Sequence, residues 1–184
     1  PEMALVRTGL GGERVAIVGG GLVIPVVHEA TRVAMTLLRL GVSHRDQDAL
    51  ITHDRLRMNV DADFYVRVRN DRASIATAAR TLGGRTANAE AMRALLGARF
   101  DDALRTAAAR RPMEALHEDR GAFAAEVKAL AAQGLEQSGL EIDSVAIARL
   151  DQAAREFFNP NNAFDAAGLT RLTAEIEERR RLRN

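Results

Sequence analysis

The sequence predicts an α+β fold: an antiparallel sheet first, then a mainly helical part with one returning strand and a C-terminal helix. Two periodicities carry this. Leu56, Met58, Val60, Ala62, Phe64, Val66 and Val68 alternate with polar or charged residues, the pattern of a long strand with one buried and one wet face. After Asn70 the apolar residues recur at three and four, the period of a helix. The chain has 184 residues, enough to bury roughly 70% of its unfolded surface without staples. It contains no cysteine, so no disulfide framework or thiolate site contributes.

Taken in order, strands are expected over residues 4–8, 14–18, 35–42, 48–52 and 56–68. His53 and Asp54 supply the turn before the last of these. Residues 22–27 are rich in β-branched side chains and read as a further extended segment. Asp71 can cap a helix that runs to Leu82, where Gly83-Gly84 stops it. Asn88 caps a longer helix with the stripe Met92, Leu95, Leu96, Phe100, Ala103, Leu104 and Ala107. Pro112 suits the first turn of the next helix, which breaks near residues 119–121 and ends at Gly139. Residues 140–150 return to strand character, and a shift of apolar phase between Ile142 and Val145 predicts a bulge at Asp143-Ser144. A turn cluster, Asn159-Pro160-Asn161-Asn162, precedes a helix from Asp165 to the end. That helix carries Leu169, Leu172 and Ile176 on one side and the charge pairs Glu175–Arg179 and Glu177–Arg181. The chain thus divides into a sheet subdomain over 1–70, a helical subdomain over 71–157, and the turn with the start of a C-terminal helix over 158–184.

Composition narrows the chemistry. The formal net charge is +1, with acidic and basic residues interspersed, and the aromatic residues are six Phe and one Tyr. Neither a basic stripe nor a set of stacking rings is present, so nucleic acid is not an expected partner. Lys128 is the single lysine among 26 basic residues, a bias that also enriches Ala and Gly. The most apolar window, 15–27, falls short of the ~18 residues of a membrane-spanning helix and is broken by Gly19, Gly20, Gly21 and Pro25.

That window, within RVAIVGGGLVIPVV, invites comparison with a dinucleotide-binding loop. The fingerprint needs a third glycine where Ile24 stands, and then a helix to face the pyrophosphate. Pro25 and an extended segment come instead. A start at Gly9 fails in the same way, because GLGGER leads into a strand. Both glycine clusters read as turns between antiparallel strands, and no cofactor is expected. His28, His44, His53 and His117 include no pair at i,i+3 or i,i+4, so no helical metal site arises. Asp61 and Asp63 share a face with Arg57 and Arg67 and read as an ion-paired surface. Ser43, Ser74, Ser138 and Ser144 sit in no nucleophile elbow. No catalytic residue is assigned, and the chain is not expected to be an enzyme.

Four stretches resemble the SPFH superfamily (stomatin, prohibitin, flotillin; also the prohibitin-homology or Band 7 domain), and within it the bacterial flotillin-like inner-membrane proteins. They are ALVRTGLGGERV, DALITHDRLRMNVDADFYVRV, GLEIDSVAIARLDQ and NPNNAFDAAGLTRLT. The resemblance implies a non-enzymatic, membrane-associated scaffold that assembles with copies of itself to organise membrane proteins or lipids. It implies the bacterial inner membrane, with the domain on the cytoplasmic face, and partners of three kinds: self, the membrane lipid surface and membrane-protein clients. Such proteins have an apolar anchor before the domain and a long coiled coil after it, so the chain reads as a truncated core. On this basis Val18, Gly19, Gly20, Gly21, Leu22, Val23, Ile24 and Pro25 are candidate membrane-proximal residues. Leu169, Leu172 and Ile176 are the candidate oligomer interface, as the first turns of a coiled coil. The alternative is a soluble adaptor that binds a client peptide or a membrane protease.

Overall fold

The computed structural model describes residues 2–9, 11–17, 28–159 and 161–183. Strands β1 (Met3–Gly9), β2 (Arg14–Ala16), β3 (His28–Ala34), β4 (Leu38–His44), β5 (Leu50–Ile51) and β6 (Arg57–Val68) come first. Helices α1 (Arg72–Thr81), α2 (Ala89–Ala109), α3 (Met113–Glu118) and α4 (Arg120–Ala132) come next, then β7 (Leu140–Gln152) and α5 (Ala163–Arg183). This is the α+β order read from the sequence. β1 is the middle strand of a three-stranded sheet, β2-β1-β3, and β4, β5 and β7 all pair with β6 in a second sheet.

The chain forms two compact units, each assembled from three separate stretches. The first takes Pro1–Leu40, Phe64–Phe100 and Lys128–Val145; the second takes Gly41–Asp63, Asp101–Val127 and Ala146–Asn184.

In the first unit, the turn after β1 uses glycine for its conformational freedom. Gly11 and Gly12 adopt φ of +91° and +83°, and the Gly12 amide donates to the Gly9 carbonyl at 3.0 Å. The glycines of GLGGER are therefore turn residues, as expected. β1 pairs antiparallel with both neighbours, Val6 lying opposite Val15 and Thr31. β3 was not foreseen; HEATRVA carries only Ala30, Val33 and Ala34 as apolar residues, too few to announce a strand. α1 begins at the predicted cap, where the Asp71 carboxylate accepts from the Ser74 amide at 2.8 Å. Gly83 adopts φ +55° and leads into a short 3-10 turn, Gly83–Ala87, whose Thr86 hydroxyl accepts from the Ala34 amide. Phe64 of β6 stacks on Phe100 of α2 with ring centroids 4.1 Å apart, and both are fully buried.

In the second unit, Met58, Val60 and Ala62 continue the buried face of β6. α4 takes its cap where the sequence placed a break, Asp119 accepting from the Ala122 amide; in the first unit, Asn88 caps α2 by accepting from the Glu90 and Ala91 amides. Pro112 stands one position before α3 rather than inside its first turn. Its missing hydroxyl or carboxylate is replaced from a distance, since Asp54 accepts from the Met113 amide at 3.2 Å. β7 runs without interruption, and Leu140, Ile142 and Leu150 are buried on one parity. Val145 and Ile147 are half-buried.

Candidate interaction surfaces

The last helix carries the candidate interface, and the second unit shows how it is held. Asn159 and Asn162 bend the chain into it: Asn159 accepts from the Asn161 amide, and Asn162 accepts from the Phe164 amide at 2.9 Å. One turn in, Asp165 meets Arg57 of β6. Arg57 Nε and Nη2 donate to its two carboxylate oxygens at 2.9 and 2.8 Å, and the Asn159 amide adds a third bond at 3.0 Å. Asp165 is only 2% exposed, and Arg57 uses its remaining nitrogen on the Gln47 carbonyl at 3.0 Å. A planar guanidinium facing a carboxylate through two parallel bonds fixes direction as well as distance. The guanidinium holds the Asp165 carboxyl below its ordinary value of 3.8, against the opposing effect of burial.

Gly168, one turn further, lets the helix backbone approach closely. A Cβ there would lie 2.2 Å from the Arg55 carbonyl oxygen and 3.1 Å from the Phe158 ring. Arg55 itself adopts φ +65° in the turn before β6, and its guanidinium sits 4.6 Å from the Phe164 ring centroid. Asp165, Gly168 and Leu172 thus form one docking stripe at i, i+3 and i+7, and they are the three buried residues of α5.

The sequence-predicted interface residues separate along this stripe. Leu172 is 8% exposed within its own chain, Leu169 is half-buried, and Ile176 is 40% exposed. Beyond Ile176 every described side chain to Arg183 is exposed, Leu182 at 83%. Alongside, Arg171, Glu175 and Arg179 line a cleft of about 370 Å³ whose other wall is Met113, Glu114 and His117 of α3. The eight candidate membrane-proximal residues, Val18 to Pro25, lie outside the described residues.

The outer face of β6 is ion-paired, but with partners other than those expected. In the second unit Asp61 accepts from Arg45 and from the Ser43 hydroxyl, which hold its carboxyl low. Arg57 turns to Asp165 instead. In the first unit Arg67 donates to Glu141 at 2.7 Å. Sequence spacing along one strand could not reveal partners that arrive from β4, β7 and α5. His44, unassigned by the sequence, is 5% exposed and bonds Asp101 at 3.0 Å.

No group of three or more potential metal ligands occurs among the described residues, and no described helix is long and apolar enough to cross a membrane. Residues 1–183 match the SPFH domain / Band 7 family. The chain belongs to that family. It is 48% identical over 183 residues to the flotillin family inner membrane protein YqiK of Escherichia coli. It is 35% identical over 178 residues to the flotillin family inner membrane protein sll1021 of Synechocystis. The alignments cover 100% and 95% of this chain but only 33% and 26% of the two relatives. The SPFH domain thus matches a third or less of the length of these proteins, and α5 is the last element within the match.

Proposed function

We propose that this SPFH domain is the core of a flotillin-type scaffold of the bacterial inner membrane. It lies on the cytoplasmic face and assembles with copies of itself to organise membrane proteins or lipids. It works mechanically, without a catalytic step. Many weak contacts between side-by-side domains and the membrane add through multivalency.

The observation that carries the reading is the division of α5. Its first turns are fixed by Arg57–Asp165 and by the close approach at Gly168. Ile176 is 40% exposed, and every described side chain after it is exposed. An isolated helix of that composition is marginal in water, and a second helix laid along Leu169 and Ile176 would stabilise it. The heptad continues to Arg179 and Arg183, whose aliphatic stems can cover a seam while their charged heads reach water. Names of the relatives support the inner membrane.

The test is the size of the longer protein's assemblies after extraction from its membrane. The scaffold reading expects high-order complexes that Ile176→Asp reduces to smaller species. Monomers from the unaltered protein would overturn it.

A further inference from the structure

The three-stranded sheet sorts its charges by face. In antiparallel pairing, directly opposed residues share a face, and successive residues alternate. The register sets Arg7 opposite Arg14 and Leu5 opposite Arg32. Met3, Leu5, Arg7, Arg14 and Arg32 therefore lie on one face, with His28 at its end opposite Gly9. The acidic residues go the other way. Glu29 lies opposite Thr8 on the alternate face, and Glu13 reaches Arg80 of α1. Ala4, Val6 and Val33 share that alternate parity and are buried. α1 contacts all three strands, and on the arginine face Ala34, opposite Met3, is buried.

Leu5, Arg7 and His28 on the arginine face are half-buried. Arg14 and Arg32 are exposed, Met3 is 45% exposed, and neither arginine makes an ion pair among the described residues. None of the three strands places a carboxylate there. No aromatic ring interrupts the face, which disfavours single-stranded nucleic acid. The apolar Met3 and Leu5 among arginines match the boundary between headgroups and acyl chains. In sequence, β2 overlaps the start of the most apolar window of the chain, and β3 follows its end.

We propose that this face docks on anionic phospholipid headgroups. The inference rests on the membrane-associated reading above and adds the lipid class. The experiment is co-sedimentation of the 184-residue chain with vesicles of phosphatidylcholine alone, or of phosphatidylcholine with phosphatidylglycerol. Binding is expected to the phosphatidylglycerol vesicles and to fall steeply as salt rises from about 0.1 M to about 1 M. Each arginine removed should weaken it about fivefold. Arg14→Glu combined with Arg32→Glu should therefore reduce binding at least about 25-fold. The unfolding midpoint should stay level, because both substituted side chains are exposed. Arg14→Gln with Arg32→Gln repeats the test if charge reversal lowers the midpoint.

Equal, salt-independent binding to both vesicle types would overturn the anionic assignment and leave the membrane reading standing. So would wild-type binding by the double variants. Failure to bind either vesicle would overturn the headgroup contact, and the scaffold reading would then stand or fall on the assembly test above. Binding to an acidic polypeptide or RNA in place of vesicles would reassign the face.

Discussion

Residues 163–172 and 173–183 belong to one helix, yet the two stretches are held in different ways. The first has Asp165 bonded to Arg57, Gly168 against the Arg55 carbonyl and Leu172 buried. The second has no buried residue at all. Its one printed ion pair, Glu175 with Arg171 of the first stretch, is 3.4 Å long and exposed, a kind of pair that is individually weak. The contrast marks where a structural element ends and a presented one begins. Docking is complete by Leu172, and the remaining turns are available to another chain.

The comparison breaks most readily at the ion pair. Asp165→Ala leaves the Arg57 guanidinium without its carboxylate in a largely buried setting, a loss of about 3 kcal/mol in urea unfolding. Replacing both partners, Arg57→Met with Asp165→Leu, should recover most of it, because the unpaired charge is gone. Leu172→Ala should cost about 2 kcal/mol by the same measurement, at the low end for a buried leucine. Gly168→Ala drives a methyl against the Arg55 carbonyl and should cost about 2 kcal/mol, with faster amide exchange confined to the first turns of α5. Ile176→Ala should stay within about 0.5 kcal/mol in the 184-residue chain.

Acid offers a milder probe. The Asp165 carboxyl is lowered in the folded chain, so its stabilisation is complete above 3.8 and drains as pH falls from there toward the folded value. Thermal unfolding should show a shallower acid slope in Asp165→Asn than in the wild type. Asp61 and Asp71, also lowered, supply the slope that remains.

Local signals made most of the fold legible. The alternation of β6, the caps at Asp71 and Asn88, and the glycine turn at 9–12 each lie within a few residues of the structure they determine. The docking of α5 was not legible in that way. Arg57 and Asp165 are 108 positions apart, and an aspartate one turn into a helix reads as a dipole partner. Gly168 was the available clue, since glycine inside a helix costs about 1 kcal/mol against alanine and calls for a packing reason. β3 escaped because Glu29 and Arg32 stand on its two sides, which leaves no apolar alternation to read. The candidate interface was half legible. Leu169, Leu172 and Ile176 form one stripe by spacing, but only burial in the folded chain assigns Leu172 to the chain's own core.

The scaffold account is tested most directly by cross-linking at Ile176. The 184 residues contain no cysteine, so Ile176→Cys adds a single reporter to this domain. In the longer protein, kept in its membrane and treated with a short bis-maleimide, the account predicts efficient cross-links between copies through this position. Leu172→Cys, shielded within its own chain, should link far less. Equal yields at the two positions, or none at Ile176, would contradict assembly through the presented half of the helix.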